Sequence, residues 1–128
     1  MLSRRHLLFF FAPLSLYAAQ QQQPPQEQEP PEEDESAKPK EYAFNPLQAA
    51  KELKVGDFYL KKKSYKAAGR RYLEATRWDP TSADAFLKLG EVREKLNDAE
   101  GAKEAYAKYV ELAPDTKTAA ALKKRYKL

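Results

Sequence analysis

The chain has 128 residues, no cysteine, one histidine and a formal net charge of +4. The length allows one small core, and the absence of cysteine excludes disulfides, thiolate metal sites and cysteine nucleophiles. The one imidazole, His6, lies in a segment that reads as an export signal, so a domain without that segment lacks the commonest general base and metal ligand.

Charge is unevenly spread. Residues 20–40 contain six acids and two lysines, a net charge of −4, whereas residues 41–128 contain nineteen Lys/Arg and thirteen Asp/Glu, a net charge of +6. The two parts therefore need separate readings.

Residues 1–19 open with Arg4 and Arg5, run through an apolar core from Leu7 to Leu16, and close on Ala18 and Ala19. This order predicts a signal peptide cut after Ala18 or Ala19. The apolar run is about half of the roughly 20 residues a spanning helix needs, so membrane attachment is expected only through an uncleaved signal. Ser3-Arg4-Arg5-His6-Leu7-Leu8 resembles a twin-arginine signal, which leaves both the general secretory and the twin-arginine routes open. The expected location is the periplasm or cell envelope.

Residues 20–44 are rich in Pro, Gln and Glu and offer almost no apolar side chain to offset the entropy of ordering. They predict a disordered acidic linker. Its acidic run, Glu32, Glu33, Asp34 and Glu35, could also lie across the basic domain that follows.

From Asn45 the pattern becomes helical. Asn45 is a candidate N-cap with Pro46 at the first helical position, where a missing N–H costs nothing. The punctuation predicts helices near 47–62, 64–78, 82–96, 97–113 and 115–128, stopped at Asp79-Pro80, Asn97-Asp98 and Pro114.

These helices are written in a 34-residue period. Gly56 recurs as Gly90, Ala68 as Ala102, Tyr72 as Tyr106 and Pro80 as Pro114, while Leu53 pairs with Leu87 and Val55 with Leu89. Four identities of different physical type in one register require a repeated packing unit. Counted from Ala49 and Ala83, the small and large positions resemble the tetratricopeptide repeat. Three residues depart from that pattern: Glu52 at position 4, Arg93 at position 11 and Tyr109 at position 27.

The resemblance implies an all-α fold, a right-handed stack of antiparallel helix pairs made of two repeats (49–82 and 83–116) and a capping helix (117–128). It also implies a non-enzymatic scaffold that holds a peptide or partner domain in a concave groove. The positions that line such a groove are occupied by Leu53, Asp57, Leu60, Lys61, Asp84, Leu87, Glu91, Glu94 and Arg125, with Ala50, Lys95, Thr118 and Ala121 beside them. The leucines would be apolar anchors and the charges would select register. The blander reading is that the leucines complete a thin core. Leu53 and Asp57 stand where the family's carboxylate clamp needs Lys and Asn, which argues against a chaperone-tail ligand.

A second reading comes from Lys61, Lys62, Lys63, Lys66, Arg70 and Arg71, a dense basic run around the first helical hairpin. Such a face can hold nucleic acid or another anionic polymer in a salt-dependent, sequence-blind manner. Against nucleic acid, Tyr59, Tyr65 and Tyr72 are accounted for by repeat packing and leave no stacking platform. No constellation implies a catalytic residue, metal or cofactor. Two repeats and one helix are few for a continuous core, so self-association or a partner is expected to complete one end.

Overall fold

The computed structural model describes residues 40–128; the proposed signal segment and the linker up to residue 39 lie outside the described residues. Five helices follow in order: α1 (Pro46–Lys61), α2 (Tyr65–Trp78), α3 (Ala83–Lys95), α4 (Ala99–Leu112) and α5 (Lys117–Tyr126). No strand occurs among the described residues, and none of their helices is long and apolar enough to cross a membrane. α1 packs on α2, α2 on α3, α3 on α4 and α4 on α5, so each helix leans on its neighbours in sequence. The arrangement is an all-α stack of two helical hairpins and a closing helix.

The helix ends follow from local chemistry. The side chain of Asn45 accepts a hydrogen bond from the Gln48 amide at 3.0 Å, Asp98 from Gly101 at 2.9 Å and Thr116 from Ala119 at 3.1 Å. Each satisfies an amide that the first helical turn leaves without a partner. The turns inside the two hairpins use a left-handed residue at the same place in the period, Lys63 (φ 58°) and Asn97 (φ 59°). Asparagine tolerates that conformation, whereas lysine meets the steric cost of its Cβ.

The core is built from small residues and tyrosines. Ala68, Tyr72, Ala75, Ala85, Ala102 and Ala119 are fully enclosed. Tyr72 belongs to one cluster with Tyr59, Leu89 and Val92, and Tyr106 to a second with Tyr109 and Leu122. The recurrent glycines serve these rings. A Cβ on Gly56 would come within 2.6 Å of Tyr72 Cδ1, and one on Gly90 within 2.6 Å of Tyr106 Cδ1. Each glycine thus admits the tyrosine of its own repeat, and the same rings also meet the next unit, Tyr72 in one cluster with Leu89 and Val92 and Tyr106 in one with Ala119 and Leu122.

All three departures from the repeat pattern have polar partners. Glu52 is 4% exposed and accepts from Arg71 Nη1 at 3.3 Å and from Gln48 Nε2 at 3.0 Å, an ion pair in place of a large ring. Arg93 donates to the Gly101 carbonyl at 2.9 Å, tying α3 to the start of α4. The Tyr109 hydroxyl lies 3.1 Å from Thr116 Oγ1, against the cap of α5.

The two ends differ. α5 carries Ala119 and Leu122 inward, but Lys123, Lys124 and Lys127 are exposed, and Lys124 occupies the position of Gly56 and Gly90. By repeat position, a ring docking there as Tyr72 and Tyr106 do would have to displace the Lys124 side chain. At the other end Phe44 and Leu47 are exposed at 66% and 70%.

The last residues assigned to the linker are held against α2. The Asn45 amide donates to the Trp78 carbonyl at 2.9 Å, and Tyr42 meets Trp78 edge to face with centroids 5.0 Å apart. The Tyr42 hydroxyl donates to Glu74 at 2.7 Å. Aromatic contact with a satisfied hydroxyl is enough to order a short extended stretch.

Candidate functional site

The first helix of each unit, α1, α3 and α5, supplies the residues expected to line the groove. Leu53 and Leu60 are half-buried against the first cluster and Leu87 against the second. They therefore belong in part to the core and present only their remaining surface. Lys61, Asp84, Glu91 and Arg125 are exposed, and Asp57 and Glu94 are half-buried.

Two polar bridges lace these helices together. Between α1 and α3, Asp57 accepts from the Tyr72 hydroxyl at 2.6 Å and from Lys88 Nζ at 2.9 Å to both oxygens. Lys88 also lies 3.7 Å from Asp84. Burial opposes the charge on Asp57, but the hydrogen bonds from Tyr72 and Lys88 outweigh it and hold the carboxyl below the usual range. Burial likewise works against the Lys88 ammonium, and Asp57 with Asp84 more than restores it, so its pKa is raised. The Tyr72 hydroxyl is pushed well above its ordinary value by burial first and the Asp57 carboxylate second.

The second bridge, between α3 and α5, uses a different acid. Glu94 accepts a short hydrogen bond from the Tyr126 hydroxyl and pairs with Arg125 Nη2 at 3.1 Å. Burial and then hydrogen bonding to Glu94 raise the Tyr106 hydroxyl as well. Glu94 thus takes the partners that repeat symmetry would give to Glu91, the counterpart of Asp57. The cause is legible in the next unit, where the position of Lys88 is filled by Leu122. With no cation at that place, the bridge shifts one turn along α3.

Glu91 is left over. It makes no hydrogen bond or ion pair among the described residues, and its pKa is raised by burial first and then by the charges of Glu94 and Asp84, with Lys88 only partly compensating. A carboxylate so placed is destabilised in its charged form and would gain from an incoming cation.

The basic run divides. Lys61, Lys62 and Lys63 are exposed around the turn between α1 and α2, with Lys62 Nζ 4.7 Å from the centre of the Phe58 ring. Lys66 and Arg70 are exposed on α2. Arg71 does not belong with them: its side chain is 13% exposed and paired with Glu52. Sequence reasoning had no sign of that pair across 19 residues, since Glu52 read only as an anomaly. It also missed Lys88 as a groove residue, although Lys54 and Lys88 recur one period apart and could have marked a bridging position. No cluster of His, Asp and Glu with the makings of a metal site occurs among the described residues.

Comparison with known proteins gives two family matches, a TPR repeat over residues 56–97 and a tetratricopeptide repeat over residues 83–116. No curated protein matches the chain. Together with the five-helix stack and the paired Gly–Tyr contacts, these matches identify the helical domain as a tetratricopeptide-repeat stack, a family whose repeats generally serve as protein–protein interaction modules.

Proposed function

We propose that this domain is a non-enzymatic adaptor that takes a peptide or partner helix along the face formed by α1, α3 and α5, and that the partner presents a basic residue to Glu91. The observation that carries the reading is the inequality of two equivalent acids. Asp57 is hydrogen-bonded by Tyr72 and Lys88, whereas Glu91 has no hydrogen bond or ion pair among the described residues and is only partly compensated by the charge of Lys88. The half-buried Leu53, Leu60 and Leu87 give the partner apolar contact, and Lys61 and Arg125 are exposed on α1 and α5.

Affinity capture on the immobilised chain tests this. A partner recovered by the parent should be lost with Glu91→Lys and with Leu53→Asp plus Leu87→Asp, while circular dichroism shows the helical fold retained. Capture that survives both changes in folded protein would refute the groove reading. It would also favour the second reading, anionic polymer on Lys61, Lys62, Lys63, Lys66 and Arg70, which titration with labelled single-stranded DNA at low and high salt measures directly.

We further propose that the adaptor works outside the cytoplasm, on the strength of Arg4, Arg5 and the apolar core that follows them. N-terminal sequencing of the mature protein from an envelope fraction tests this; an intact residue 1 in the cytosol would refute it.

A further inference from the structure

We propose that the outer side of α1, with Phe44 just before it, docks on an anionic membrane surface, so that the stack lies on the bilayer by this side. The periodicity of α1 collects the parts. Leu47, Lys51, Lys54, Phe58 and Lys61 follow one another at intervals of three and four residues, and Lys62 lies four beyond Phe58. They share one side of the helix over about 22 Å at 1.5 Å per residue. The residues that α1 turns to the core, Ala49, Glu52, Gly56 and Tyr59, belong to the opposite side.

Apolar and basic groups are both left over on the outer side. Phe44 and Leu47 are largely exposed, and Phe58 is half-buried with Lys62 Nζ 4.7 Å over its ring. Lys51, Lys54, Lys61 and Lys62 are exposed, and the two acids of α1 are engaged elsewhere. Glu52 is buried against Arg71, while Asp57, which also feels the charge of Lys61, is held by Tyr72 and Lys88. The first turn of α1 has no acid, so the partial positive charge of the helix start adds to that of the lysines. Glu41 is the exposed acid nearest Phe44 in the chain.

Shape and charge select the occupant. Large apolar side chains that stand this far into solvent do not line a groove, so a rigid peptide would cover little of them, whereas a fluid interface closes around each one. Such side chains bury between headgroups and acyl chains, and lysines beside them lay their stems along the apolar surface and keep their ammonium groups among anionic headgroups. A second copy would set lysine against lysine across the contact. Leu53, Asp57 and Leu60 occupy another side of α1, so docking leaves the groove open to a partner.

The chain has no cysteine, so a bimane label on Ala43→Cys reports from beside Phe44 in the full chain, and one on Ala120→Cys reports from an exposed position of α5. Emission of the Ala43 label should shift to the blue on vesicles of equal parts phosphatidylglycerol and phosphatidylcholine but not on phosphatidylcholine alone, while the Ala120 label shifts on neither. In the same labelled chain Phe44→Ser with Leu47→Ser should weaken the binding at least about tenfold, and Lys51→Gln with Lys54→Gln about fivefold per lysine, with circular dichroism unchanged. No shift at Ala43, an equal shift on neutral lipid, or a shift that survives both pairs of substitutions, as it would if residues 1–19 alone held the lipid, would overturn the proposal. So would a different occupant, marked by concentration-dependent sedimentation for a second copy, or by an acidic peptide that moves the Ala43 label where vesicles do not.

Discussion

Replacing Arg71 with Ala should be among the most damaging single changes available in this domain. Glu52 is 4% exposed and, among the described residues, is paired with the Arg71 guanidinium, with Gln48 supplying one neutral hydrogen bond. Removing one member of a buried pair leaves the other charged without compensation, at about 3–5 kcal/mol. The 89 described residues correspond to a total stability of roughly 4–13 kcal/mol at ordinary values per residue. The loss is a large share of that total, and in a domain of this size it lowers Tm by at least about 12 °C. The second repeat indicates the remedy, because it carries Phe86 and Ala105 one period after Glu52 and Arg71. Glu52→Phe combined with Arg71→Ala should recover most of the loss, since buried pairs replaced by apolar groups of suitable volume are often neutral or stabilising by about 1–4 kcal/mol. Thermal and urea unfolding of the parent, both single variants and the double variant give the coupling directly. An Arg71→Ala variant that melts within a few degrees of the parent, or a double variant no more stable than that single one, would refute the reasoning.

Gly56→Ala and Gly90→Ala should each cost about 1–3 kcal/mol by driving a methyl into a tyrosine ring, visible as a lower urea midpoint; Gly69→Ala, whose Cβ would meet methyls of Val92 at 3.3 Å and Leu96 at 3.9 Å, should cost less. Glu91→Gln should raise the stability of the free domain at neutral pH. The raised folded pKa of this acid means that its contribution is lost as pH climbs from the ordinary glutamate value through the raised one. The gain in Tm of the variant over the parent should therefore grow across that window, and a gain that is flat with pH would be inconsistent with the assignment. Asp57 behaves in the opposite sense. Its depressed folded pKa supplies stability that is complete above the ordinary aspartate value and lost as pH falls through the folded one, so Asp57→Asn should flatten the acid limb of the stability profile below about pH 4. Finally, Phe44→Ser with Leu47→Ser should leave Tm unchanged because both side chains are mostly exposed, and should remove any concentration-dependent sedimentation of the parent.

The fold was legible in the sequence because it is written in small residues. Gly56, Ala68, Tyr72 and their counterparts at 90, 102 and 106 carry period and packing together, and Asn45, Asp98 and Thr116 mark helix starts through short-range hydrogen bonds. The candidate site was less legible. Family positions could name Asp57 and Glu91 as equivalents, but which of them is neutralised depends on whether the next unit offers Lys88 or Leu122, a fact of contact between helices. Arg71 was misplaced for the same reason. Charge in a sequence does not reveal whether a guanidinium points to solvent or to a buried acid nineteen residues earlier. Tyr42 lay in a stretch whose composition spoke for disorder, and one ring against Trp78 outweighs that composition locally.

Lys124 at the place of Gly56 and Gly90 has a bearing on how arrays of this kind are lengthened. A stack of identical units has no inherent last member; something in the final copy must refuse the next. A long cationic side chain where a tyrosine edge would have to enter, with Lys123 and Lys127 exposed beside it, opposes the docking of a further helix on α5. Grafting a second-helix segment after α5 should therefore give an unfolded appendage in the natural sequence and a docked one after Lys124→Gly with Lys123→Leu.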